Sequence, residues 1–235
     1  MQTRLIPLAR AYLTLIYPIL LILMGARLVM SPGFLSFEYN RPDFPADFYG
    51  FTTADRLTYA PYAVDYLLNG EDIDYLGDLT FDDGRGLFND RELRHMRDVK
   101  ALTTAAFGFA VGAGALAIAA TVYLWRRAPN TLALALRSGA FLTIALILLI
   151  ALTALAAWDF FFTGFHRIFF EGDTWYFLYS DTLIRLFPEQ FWFDAAILIG
   201  VIAVLAALIT LTIIRIAVGR KQPPAAAPHP PTLQG

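Results

Sequence analysis

Histidine is the residue whose ordinary pKa, about 6.5, lets it take and give protons near neutral pH. The chain has three histidines. His229 stands in a Pro/Ala-rich tail, whereas His95 and His166 stand in two separate acidic segments, each beside a predicted helix end. On a helix, Arg91, Glu92, Asp98 and Val99 fall within one turn of His95. Asp98 or Glu92 can then orient and polarise the imidazole, as a carboxylate does for a catalytic base. Arg167 adjoins His166, and Glu171 and Asp173 lie just downstream. One such histidine alone reads as an ordinary interfacial side chain. Two of them converging on one membrane face read as an acid/base pair.

Rival chemistries leave weaker marks. His95, Asp98, His166 and Glu171 or Asp173 could form a mixed His/carboxylate metal site. No compact ligand motif such as His-Glu-x-x-His supports it, so no metal and no cofactor is expected. The chain has no cysteine, which rules out a thiolate nucleophile, a Cys-based metal site and disulfide staples. No Gly-x-Ser-x-Gly elbow occurs, and the serines outside the apolar runs are Ser31, Ser36 and Ser180. Acidic loops without a P-loop argue against phosphate cradling and nucleic acid. Arg91, Arg94, Arg97, Arg167 and Arg185 could stabilise an oxyanion or hold a lipid phosphate. Salt bridges with nearby acids are the plainer reading for each.

The elements that must hold these residues follow from where the acids are not. All 20 acidic residues fall in 38–98 and 159–194, and the runs around them are apolar. Hydrophobic residues make up 57% of the 235 and charged ones 16%. This is the pattern of an all-α membrane protein with four transmembrane helices. The spans are expected at about 6–30, 101–125, 131–157 and 194–217. The first reads as an uncleaved signal anchor. Arg4, Arg10, Arg126, Arg127, Arg137, Arg215, Arg220 and Lys221 flank what the positive-inside rule makes the cytoplasmic ends. Both termini are then cytoplasmic, in the cell membrane, and 31–100 and 158–193 are extracytoplasmic. The domain is expected to run over 1–218, with 219–235 a disordered tail.

Within 31–100, Tyr59, Tyr62, Ala63, Tyr66 and Leu67 follow helical spacing and predict an amphipathic helix. Its tyrosines suit either a bilayer interface or packing on the neighbouring loop. Asn89 with Glu92 three residues on is a capping box that starts one helix running from about 90 to 125. His95 then lies six residues above the apolar boundary at Ala101, roughly 9 Å, the depth of ester linkages. Gly108-x-x-x-Gly112 reads either as a close-packing face for another span or simply as a thin stretch of helix. The segment between spans three and four is so aromatic that it is expected to lie in the interface.

Several blocks together resemble a known family. They are Phe48-Tyr49-Gly50-Phe51, the run from Leu87 to Lys100 around His95-Met96-Arg97-Asp98-Val99-Lys100, the run Phe165-His166-Arg167-Ile168-Phe169-Phe170 through Trp175, and Asp181 through Pro188 with Phe191-Trp192. They resemble the bacterial lipoprotein intramolecular transacylases over nearly the whole chain up to Gly219. The resemblance implies transfer of the sn-2 acyl chain of a diacylglyceryl-cysteine lipoprotein to the α-amine of the same cysteine, giving a lyso-form. It implies catalysis by His95 and His166, with membrane lipid and a lipoprotein as partners. Arg91, Asp98, Arg167, Glu171, Asp173, Arg185 and Tyr49 are the supporting set. His166 as base and His95 as acid is one assignment; the reverse, and an acyl-histidine route, stay open. The alternatives are a metal-dependent membrane hydrolase at the same face and a non-enzymatic interaction protein.

Overall fold

The structure, a computed structural model, describes residues 2–170, 172 and 175–219. The described residues are almost wholly helical. Four helices are long and apolar enough to cross a membrane: α1 (Gln2–Val29), α5 (Asp90–Arg127), α6 (Pro129–Ala156) and α9 (Glu189–Gly219). Pro129 starts α6 directly after the α5 C-terminus at Arg127, so those two helices form the expected hairpin. α1 lies at the centre, packing on α5, α6 and α9. Its contact with α6 is close at one point: a Cβ added at Gly139 would stand 2.8 Å from the Tyr17 Cβ. Gly25 similarly faces Ile199 of α9.

The expected Gly108–Gly112 packing face finds no partner span. A Cβ at either position meets nothing within 4 Å. α5 instead joins the bundle lower down, through Ala120 and Leu124 against Leu13 and Ala135. Small residues at the helix contacts lie on α1, α6 and α9 (Gly25, Gly139, Gly200) and, on α5, at Ala120 rather than at Gly108 or Gly112.

The cap is built from α2 (Pro32–Tyr39), α3 (Thr53–Leu68), the single turn α4 (Asp74–Gly77) and α8 (Thr182–Leu186). Their apolar faces share one core that includes Leu35, Tyr39, Ala60, Tyr66, Leu76 and Leu186. The tyrosine stripe of α3 packs on neighbouring parts of the cap, with Tyr62 the one that stays exposed. Tyr59 meets Phe51 and Phe81, Tyr62 meets Tyr75, and Tyr66 is only 2% exposed. Lys100 on α5 ties the spans to this cap, donating to the Asn69 side chain and the Glu71 carbonyl with its ammonium 4.0 Å from the Tyr66 ring centre.

Buried charges in the cap are answered one by one. Arg41 bridges Glu38 on α2 and Asp194 on α9. Burial, and a hydrogen bond shared with Asp194, raise the Glu38 carboxyl to about 7 although Arg41 opposes the shift. Arg185 pairs with Asp47 at 3.0 Å. Burial alone would raise Asp47, but Arg185 and the Phe51 N–H hold it below the usual carboxylate range. Arg56 donates to the carbonyls of Pro45 and Arg185.

After α6, the chain turns at Ala157 into α7 (Trp158–Phe169), an amphipathic helix of mostly aromatic residues. Phe160 is 77% exposed on it, and Trp158 packs edge-on against Phe193 of α9. This helix carries the aromatic run whose composition suggested an interfacial position.

Candidate functional site

The site begins with a capping box. Asn89 accepts from the N–H groups of Arg91 and Glu92, and the Glu92 carboxylate accepts from the Asn89 N–H at 2.7 Å. The other Glu92 oxygen accepts from the Leu183 N–H at 2.6 Å, and the side chain is fully buried. Glu92 therefore locks the start of α5 to α8. Among the described residues it makes no hydrogen bond to His95, although its position one turn away suggested one; its oxygens are directed at the Asn89 and Leu183 N–H groups instead. Burial raises its carboxyl above the ordinary range, with those two N–H groups working against the shift.

Asp181 makes the second bond between these elements. It accepts from the Asn89 amide at 3.1 Å, from the Arg91 guanidinium at 2.8 Å and from the Leu178 N–H at 2.8 Å. This positions Phe177, whose ring lies 5.2 Å from that of His95 and beneath the Arg91 guanidinium.

His95 projects from the second turn of α5, His166 from the last turn of α7. Their rings lie 6.3 Å apart, centre to centre, with planes inclined by only 23°. Aromatic side chains close the space around them. Phe170 packs on both rings, Trp175 lies 4.8 Å from His166, and Phe162 lies 4.1 Å from it, one helical turn earlier.

The two imidazoles are held differently. His166 Nδ1 is 2.8 Å from the Phe162 carbonyl oxygen. A carbonyl only accepts, so Nδ1 carries the hydrogen in the neutral ring and Nε2 is left as a lone pair. His95 Nδ1 is buried without a hydrogen-bond partner among the described residues. Burial first, and the facing His166 second, pull the His95 imidazole down to about 4. Burial also lowers His166, and the bond to Phe162 partly offsets it. Both rings are therefore neutral at pH 7 and ready to accept a proton.

The supporting residues divide. Arg91 stands beside His95 through Phe177. Asp98 and Arg167 are exposed on α5 and α7. Glu171 and Asp173 lie outside the described residues. Arg185 and Tyr49 belong to another place: they line a cavity of about 340 Å³ with Asp47, Phe48, Arg56 and Tyr179, which neither histidine lines. Among the described residues no group of three or more His, Asp or Glu is placed to share a metal ion. Sequence reasoning did not single out Phe162, Phe170, Trp175, Phe177 and Asp181. Phe162 left a local signal, its four-residue spacing from His166 on one helix, and Phe170, Trp175 and Asp181 stand in the blocks that carry the family resemblance.

The model of the lipoprotein intramolecular transacylase Lit family matches residues 11–192. The chain belongs to this family. It is a multi-pass membrane protein and an acyltransferase of that kind. A relative described as an uncharacterized protein of Aquifex aeolicus (strain VF5) is 30% identical over 199 residues, covering 85% of this chain and 89% of its own. The fold matches the in meso structure of the membrane-integral lipoprotein intramolecular transacylase Lit from Bacillus cereus, with a TM-score of 0.74, 19% identity, and coverage of 93% of this chain and 98% of that one. A variant of the same Bacillus cereus protein with one histidine replaced by arginine matches with a TM-score of 0.68 at 20% identity, over 94% of this chain and 95% of that one.

Proposed function

We propose that the chain moves the sn-2 acyl group of a diacylglyceryl-cysteine lipoprotein to the α-amine of the same cysteine, with His166 as base and His95 as acid. The observation that carries this reading is the His166 Nδ1 bond to the Phe162 carbonyl, which leaves Nε2 free to accept. The α-amine, with an ordinary pKa near 8, must shed a proton to attack an ester. His166 takes that proton as the C–N bond forms. When the bond to the glyceryl oxygen breaks, that oxygen needs a proton. His95 is neutral at rest, so it first receives the proton His166 has taken and then passes it to the departing glyceryl oxygen; the pair ends as it began and no cofactor is consumed.

Amine and ester belong to one molecule, so the protein's task is alignment. Aromatic walls suit that task, since they fold an acyl-bearing substrate on itself and keep water from the ester. Arg91 orients the wall through Phe177. The site faces the extracytoplasmic side, with both termini cytoplasmic, as the flanking arginines require.

Expression in cells that make diacyl lipoproteins, followed by mass spectrometry of a released lipopeptide, tests the reading. The acyl chain is expected on the amine with wild-type protein and on the glyceryl group with His95→Ala or His166→Ala. An unchanged anchor with correctly inserted wild-type protein would overturn it.

A further inference from the structure

Three buried side-chain polar atoms lack a hydrogen-bond partner among the described residues: Arg91 Nε, His95 Nδ1 and Trp175 Nε1. All three belong to the cluster around the histidine pair. A buried indole N–H normally finds an acceptor. Arg91 is otherwise engaged by Asp181 and Phe177, and the reaction gives His95 a task. Trp175 alone has neither. It is 7% exposed, its ring lies 4.8 Å from His166, and its N–H is an obligate donor with no acceptor among the described residues.

An acyl transfer makes an acceptor at such a place. As the amine nitrogen bonds to the ester carbon, the C=O π pair moves onto oxygen and a negative charge develops within a few ångströms of the base that takes the amine proton. Base and oxyanion donor must each reach within about 3 Å of adjoining atoms, so their rings have to stand side by side, as Trp175 and His166 do.

We propose that the Trp175 indole N–H is the oxyanion donor of this acyl transfer. It hydrogen-bonds the ester carbonyl oxygen while the C–N bond forms. The oxyanion then re-forms the carbonyl, the bond to the glyceryl oxygen breaks, and the departing oxygen takes the proton. The products are an amide and an alcohol. The assignment rests on the acid/base reading above.

The deciding variant carries β-(3-benzothienyl)alanine at 175, which keeps the ring shape and puts sulfur where the N–H was; Trp175→Phe accompanies it. With purified enzyme and a diacylglyceryl lipopeptide, the benzothienyl variant is expected to lose about 10²-fold in kcat with KM unchanged. A phosphonate analogue of the tetrahedral state should lose affinity in parallel, which a purely structural tryptophan would not cause. A benzothienyl variant that turns over at the wild-type rate, beside inactive His95→Ala and His166→Ala, overturns the oxyanion assignment alone. Full activity of His166→Ala overturns both readings.

Discussion

Glu92 and His95 sit within one turn of α5 and meet opposite treatment. Glu92 is buried with both oxygens answered by backbone N–H groups. Asp47 has Arg185, and Glu38 and Asp194 share Arg41. In the cap, every one of these buried carboxyl groups has found a donor. Among the described residues, His95, one turn further along α5, leaves a ring nitrogen unanswered, and Trp175, beside His166, leaves a donor unanswered. Polar groups that satisfy each other hold a structure together. Polar groups left unsatisfied against apolar rings keep their interaction energy for whatever enters. The boundary between holding and reacting runs across three residues of a single helix.

The sharpest test of that division is the histidine pair. His166→Ala or His95→Ala should lower kcat about 10³-fold while the Tm in detergent stays near wild type; a variant that unfolds instead would erase the contrast. Glu92→Ala should do the reverse. Orphaning the Asn89 and Leu183 N–H groups costs about 3 kcal/mol, seen as a lowered Tm, with kcat of the folded fraction retained.

The two regions should also answer pH with opposite signs. His95 is depressed from 6.5 to about 4. Its share of stability is intact above 6.5 and is lost as pH falls from there toward 4, because only the unfolded chain takes the proton. Glu38 is raised from 4.5 to about 7. Its share is intact below 4.5 and is lost as pH rises through 7. Each unit of difference between folded and unfolded pKa is worth about 1.4 kcal/mol. Thermal unfolding against pH should show His95→Phe flattening the acid limb and Glu38→Gln flattening the neutral one. If each variant altered the other limb, the regions would not be separable.

The mildest test concerns Asp181, which joins the two. Asp181→Asn keeps the shape but removes the charge facing Arg91, and should cost about 1 kcal/mol of stability and lower kcat only severalfold.

Much of this was legible in the chain. Long acid-free runs gave the four crossing helices, Asn89 with Glu92 gave the start of α5, and the tyrosine spacing gave α3. Two histidines on separate segments implied their meeting. Where the structure places residues differently from the expectation, the causes are physical. Glu92 could have faced His95, but it completes the capping box with one oxygen and accepts the Leu183 N–H of α8 with the other. Gly108 and Gly112 are spaced for a packing face, but spacing does not say which helix, if any, lies opposite. Arg185 and Tyr49 stand in blocks that also suit the histidine site, yet the Asp47 carboxylate draws Arg185 to a separate cavity. Phe177 joins the site through His95 and Arg91, more than 80 positions away along the chain, and Trp175 reaches His166 from beyond the end of α7; no helical spacing encodes either.

The bond from His166 to the Phe162 carbonyl lies inside a single turn of α7. In a hydrolytic triad the imidazole is aimed by a carboxylate from elsewhere in the fold, and aim is lost whenever those parts separate. Here the helix aims its own ring. Any movement of α7 as a unit would carry the ring and the carbonyl that aims it together, because both belong to the same turn.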